Sequence, residues 1–199
     1  FDEGIELLTT AVLASPDFLY RTIAPRSAAD GQAYPLDAFE LASRLSFFLW
    51  SQGPDDELLG LAESGELLRA DVLERQVQRL LADPRAAVLV TSFAMAWLNV
   101  DDLDAVQPDR NFFPEWSEGL RQDFAREIEL FLRSVLLEDQ NVQTLLTANY
   151  TFLNERLARH YGVDGVVGPQ FRAVTLADET RHGLLGKGAV LLRTSYGDR

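Results

Sequence analysis

The chain contains no cysteine, and that single absence removes several classes of chemistry. Disulfides, thiolate nucleophiles, iron-sulfur clusters, Cys-ligated zinc and a covalently attached c-type haem all need a thiol. Imidazole is nearly as scarce: His160 and His182 are the only two, so any two-His metal site must use both. Lysine is represented by Lys187 alone, against 17 arginines. Long apolar runs are missing too. None approaches the roughly 20 residues that a membrane-spanning helix needs, which predicts no membrane span. The N-terminus, Phe1-Asp-Glu-Gly-Ile-Glu-Leu-Leu8, has neither a basic n-region nor a cleavage site, so it reads as an excised or processed segment and not as a signal peptide.

What is present is an ordinary globular composition, 47% hydrophobic and 25% charged over 199 residues. That length is enough to bury about 70% of the surface the unfolded chain exposes. Acids outnumber bases 31 to 18, for a net charge of -13, and they are spread through the chain with no acidic tail. Nucleic acid and anionic lipid bind through clustered Lys and Arg, so this surface repels both, and no nucleic-acid partner is expected.

Apolar positions recur at helical spacing almost throughout, which predicts a mainly α, irregular multi-helix domain of about seven to nine helices with at most one short strand pair. A first helix carries Ile5, Leu8 and Val12 and stops near Ser15-Pro16. Residues 1–22 form one segment, residues 23–36 read as a linker rich in Pro, Ser, Gly and Ala, and residues 37–199 form the helical domain, against which the first segment is expected to pack. Asp37 followed by Glu40 has the spacing of a capping box, opening a helix to about Ser51. Asp83-Pro84 opens a helix through Trp97 that is apolar nearly all round and is therefore predicted to be the central buried element. The longest helix runs from Pro114 to Glu138. A helix over Phe152–Tyr161 is closed by Gly162, and a last one covers Glu179–Arg193. Phe171–Leu176 alternates enough for a short strand.

Glu127 is the most informative single residue, because it shares a helical face with Leu120, Phe124, Phe131 and Val135. A carboxylate facing the core is either paired or kept protonated, and such groups are enriched at functional sites. Its pairing partner is expected among Arg44, Arg156 and Arg181; as a catalytic group it would work with His160, Arg156 or Arg181. Glu179-Thr-Arg-His182 has the Glu-x-x-His spacing of di-iron bundles, but those need a second such motif and there is none, which favours a surface or capping role for His182. His160, just before Tyr161-Gly162, suits a weak cation at a helix C-terminus. Gly183-Leu-Leu-Gly-Lys-Gly188 fails the phosphate-loop pattern, with Arg181 and Gly188 where Gly and Ser or Thr are required, so its glycines read as close packing. Asn149-Tyr-Thr151 matches a glycosylation acceptor, yet Thr151 reads better as a helix N-cap.

Four stretches together carry a family likeness: Leu41-Ala-Ser-Arg-Leu-Ser-Phe-Phe-Leu-Trp50 with Pro54-Asp55; Leu81-Ala-Asp-Pro-Arg-Ala86 running to Trp97-Leu98; Arg126-Glu-Ile-Glu-Leu-Phe131 through Glu138-Asp139; and Asn149 to Gly162 with Arg181 to Tyr196. The chain resembles a domain of unknown function found in planctomycete, myxobacterial and related bacterial multidomain proteins that carry c-type cytochrome domains. Phe1 to Arg21 resembles the end of the small domain that usually precedes it. The resemblance implies a periplasmic or secreted protein, no cofactor in this chain, and covalent haem on a separate domain of the same polypeptide. It implies no reaction. Where relatives continue through a Thr-Ser-Pro stretch into another domain, this chain stops at Thr194-Ser-Tyr-Gly-Asp-Arg199, a truncated C-terminus. The expected function is a non-catalytic scaffold or interaction module. Two alternatives stand beside it: a redox or hydrolytic enzyme completed by a downstream domain, and noncovalent haem or metal binding through His160 or His182.

Overall fold

The computed structural model describes residues 1–20 and 34–195. The linker read over residues 23–36 therefore lies largely outside the described residues, as does the stretch from Tyr196 to Arg199. Helix α1 spans Asp2–Leu13 and contains no buried residue. Helix α2, Pro16–Leu19, starts on the proline, whose missing N–H is no loss in a first turn.

The capping box predicted for helix α3, Ala38–Trp50, is present. Glu40 N–H donates to Asp37 Oδ1 at 2.8 Å and Asp37 N–H to Glu40 Oε2 at 2.9 Å. Helix α4, Asp56–Glu63, is capped by Asp55 Oδ1 accepting from Leu58 N–H. With α5, Ala70–Ala82, these helices enclose one apolar core around Trp50, Leu58, Leu67 and Leu80. Trp50 donates its indole N–H to the Leu80 carbonyl at 2.9 Å, and the Arg85 guanidinium lies 3.4 Å over its ring.

The segment expected to be the central helix behaves differently. After a 3-10 turn at Pro84–Ala86 the backbone widens to a π-helix over Leu89–Ala94 before a short α6, Met95–Trp97. A π turn takes one more residue than an α turn, which shifts the register of everything beyond it. Val90 and Ala94 stay buried, but Phe93 and Trp97 are 47% and 66% exposed. They form a surface row with Phe48, at ring-centroid separations of 5.5 and 6.4 Å.

The central element is instead α7, Glu118–Leu136, the 19-residue helix predicted from its apolar stripe and capped by Ser117 Oγ. Ile128, Phe131 and Leu132 are fully buried, in a second core with Val90, Leu153, Leu157 and Ala189. Helix α8, Thr144–Thr147, leads into strand β1, Tyr150–Leu153, then α9, Glu155–Tyr161, strand β2, Arg172–Thr175, and α10, Gly188–Thr194. The two strands are antiparallel, from Tyr150 opposite Thr175 to Leu153 opposite Arg172. The mainly α expectation with one strand pair holds.

Two boundaries need correction. Residues 150–153, partly assigned to the helix over Phe152–Tyr161, are strand β1, and Thr151 is not a helix cap. Asn154 caps α9, with Oδ1 accepting from Leu157 N–H at 2.9 Å. The helix expected over Glu179–Arg193 is broken into single 3-10 turns at Glu179–Arg181 and Leu184–Gly186 before α10. Gly183, at φ 61°, is the reason: a Cβ there would lie 2.3 Å from the Leu146 carbonyl oxygen, so no other residue fits the approach.

Candidate functional site

The stripe of α7 puts Glu127 in the second core with no exposed surface. Both carboxylate oxygens are occupied. Thr151 Oγ1, from β1, donates to Oε1 at 2.6 Å. Tyr161 OH, from the end of α9, donates to Oε2 at 2.6 Å, and the Gly188 N–H at the start of α10 reaches the same oxygen at 3.4 Å. Gly188 N–H also donates to Tyr161 OH at 2.8 Å, which closes a small ring of bonds. A single side chain on α7 thereby ties together three other elements.

The cation beside it is Lys187, also fully buried, and not one of the arginines expected. Its Nζ donates to the Tyr150 carbonyl at 3.1 Å and stands 4.5 Å from the centre of the Phe131 ring. Burial pushes the Glu127 carboxyl above its ordinary value, against the hydrogen bonds from Thr151 and Tyr161 and the charge of Lys187. Burial likewise pushes Lys187 down to about 8, with Glu127 pulling the other way and Arg181 adding repulsion. Burial first, and then the neighbouring carboxylate, raise the Tyr161 phenol, so it serves as a donor.

The other candidates are distributed. Arg156 pairs with buried Asp123, Nε to Oδ2 at 2.5 Å, and Asp123 also accepts from Asn154 Nδ2 at 2.8 Å, so this second polar tie fixes α9 on α7. Arg44 is exposed on α3. Arg181 places its guanidinium 4.3 Å over the Tyr161 ring. His160 lies in the last turn of α9 with its ring centre 5.4 Å from that of Phe124. Burial, then the charge of Arg181, lowers its pKa, with Glu115 opposing. Glu179 sits in a single 3-10 turn and His182 is extended, its Nε2 3.0 Å from the Leu176 carbonyl oxygen, so no helix face presents the two together. Among the described residues no group of three or more His, Asp or Glu could hold a metal ion, and no helix is long and apolar enough to cross a membrane.

His160 and Arg181 do meet, on the wall of a cleft of about 790 Å³ between the Val106–Trp116 segment, α7 and α10. Phe113, Trp116, Phe124 and Leu191 supply much of its apolar surface. Glu127 is not on that wall. Gly188 is the one residue common to the cleft and the buried network, and it has to be glycine. A Cβ there would fall 2.2 Å from the Phe124 ring and 2.6 Å from Tyr161 OH.

Spacing on α7 singles out Glu127, but Lys187, Thr151 and Tyr161 escape a reading by motif. The one signal for Lys187 is that it is the sole lysine and is set between two glycines, where a bulky neighbour would keep the backbone away from the core.

The molecule is thus a mainly α domain organised on a buried, donor-saturated carboxylate. A family model described as "Protein of unknown function (DUF1592)" matches residues 36–163, well over half of the chain, and the chain belongs to that family. The matched span holds Glu127, Thr151 and Tyr161 and ends before Arg181, Lys187 and Gly188. Comparison with the curated proteins finds no match, and comparison with the solved structures finds none.

Proposed function

We propose that this chain is a non-catalytic helical scaffold or interaction module of a periplasmic or secreted multidomain protein. Its partners are the other domains of the same polypeptide, among them a c-type cytochrome domain that carries the covalent haem. Residues 1–22 are then the end of a preceding small domain and residues 37–199 the module itself. One observation supports the non-catalytic reading above the rest: Glu127 spends both oxygens on Thr151, Tyr161 and Gly188 and has no exposed surface. A general acid or base must reach a proton on its substrate, within about 2.6–3.2 Å or through one water. A carboxylate already bonded on both oxygens inside a core acts instead as a cross-link between elements.

A second reading, part of a redox or hydrolytic enzyme completed by a downstream domain, is favoured by the meeting of His160 and Arg181 on one cleft. A reduced-minus-oxidised visible spectrum of the full-length protein and of this segment tests the first reading. A haem band in the parent and none in the segment is expected. A band in the segment would move the assignment to His160 or His182, and a band in neither would remove the cytochrome association.

A further inference from the structure

The cleft carries a cation with no ion-pair partner among the described residues. The Arg181 guanidinium makes no ion pair and donates no hydrogen bond among the described residues, in a chain with 31 acids and 18 bases, and the charge of Asp178 acts on it from a distance. Arg79, Arg85, Arg126 and Arg156 each hold a carboxylate. Arg181 is half-buried and rests on the face of Tyr161. A guanidinium seated on an aromatic ring keeps its N–H donors, and their fork matches a carboxylate. Around it the surface is apolar, with Phe113, Trp116, Phe124 and Leu191 prominent, and the volume of about 790 Å³ falls within the range of small-molecule sites. His160 beside it is held toward the neutral form by burial and by Arg181 itself, so it competes little for an anion. Two carboxylates also border the cleft. Asp109 Oδ1 is taken by the N–H and side-chain amide of Asn111, and Glu115 is exposed and well solvated. A half-buried, unpaired charge gains more from a counter-ion than a solvated one does.

We propose that this cleft binds a small amphipathic monocarboxylate: an apolar body, of the size of a medium-chain or aromatic acid, lying against Phe113, Trp116 and Leu191, with its carboxylate received by Arg181. The reading is independent of the scaffold assignment, since it gives the module a ligand whether or not it stands beside a cytochrome domain.

Three probes of equal tail length decide it by isothermal titration: decanoate, 1-decanol and decyltrimethylammonium. Decanoate is expected to bind one to one and at least tenfold more tightly than either of the others. Arg181→Gln should bring decanoate down to the level of decanol without changing the far-UV spectrum, and Arg181→Lys should keep part of the preference. If Arg181→Gln folds poorly, Leu191→Trp fills the cleft from a partly exposed position and leaves the arginine in place, and it should weaken decanoate at least fivefold. Equal affinity for all three probes, a preference for the ammonium, no binding of decanoate, or undiminished decanoate binding by a folded Arg181→Gln or Leu191→Trp protein would each overturn the proposal.

Discussion

Lys187→Met is the sharpest test of the buried network. Methionine keeps the length and most of the volume of the side chain while deleting the ammonium next to Glu127 and its bond to the Tyr150 carbonyl. The two groups are not in ion-pair contact: Lys187 acts on Glu127 through its charge, and its loss leaves the part-buried Tyr150 carbonyl without that donor, which costs about 1–3 kcal/mol. Glu127 also loses a favourable charge, though it can answer by taking up a proton, which places the expected loss at pH 7 near the upper end, about 3 kcal/mol. For a chain of this size that corresponds to a fall in Tm of about 6–12 °C.

The sign of the pH dependence follows from the carboxyl. Its folded pKa already lies above the ordinary 4.5, and loss of Lys187 raises it further. A raised folded pKa means stability that is fully present below the unfolded pKa and is lost as pH rises through the folded one. The variant should therefore lose up to about 1.4 kcal/mol per pH unit across that window. Urea unfolding followed by circular dichroism at intervals from pH 4.5 to 8 measures the slope, and Glu127→Gln added to the variant should flatten it. A Lys187→Met profile parallel to that of the parent, or an unchanged slope in the double variant, would refute the argument that these two residues share one buried electrostatic balance.

Tyr161→Phe removes the phenol that donates to Glu127 and accepts from Gly188, and should cost about 1–3 kcal/mol in the same assay, because a buried carboxylate oxygen loses its best donor. Gly188→Ala pushes a methyl into Phe124 and the Tyr161 hydroxyl, so a loss of about 1–3 kcal/mol or more is expected, along with distortion of the cleft visible as altered Trp116 emission. Asp123→Ala strands Asn154 and Arg156, and should destabilise by about 1–3 kcal/mol, with exchange of the amide hydrogens of α9 accelerating before those of α3.

The fold was legible where one helix face carried the signal. The stripe of α7 is long and regular enough that it announced both the element and the odd carboxylate on it, and the Asp37–Glu40 pair marked the start of α3 through a purely local geometry. Glu127's partners were not legible, because Thr151, Tyr161 and Gly188 lie 24, 34 and 61 residues away and arrive from a strand, a helix end and a glycine turn. Thr151 shows the ambiguity in miniature: a β-branched hydroxyl suits a helix cap or a strand, and Asn154 three residues later won the cap. The stretch through Phe93 and Trp97 misled for a different reason. Its apolar content is real, but the π turn moves two aromatic rings to the surface, and composition cannot register a change of helical pitch. For the cleft, His160 and Arg181 were both singled out as chemistry-bearing residues, while their being neighbours depends on the break at Gly183 that no periodicity displays.

The 61 residues between Glu127 and Gly188 also set a schedule for synthesis. At about 5–20 residues per second the carboxylate leaves the ribosome about 3–12 s before its last donor does. Through that interval α7 can close over Glu127 only with the carboxyl protonated or unpartnered, so completion of the second core waits for Lys187 and Gly188 to emerge. A recombinant fragment cut to the matched span, residues 36–163, would be held permanently at that unfinished stage. A fragment that keeps the whole network has to include Lys187 and Gly188 at the start of α10.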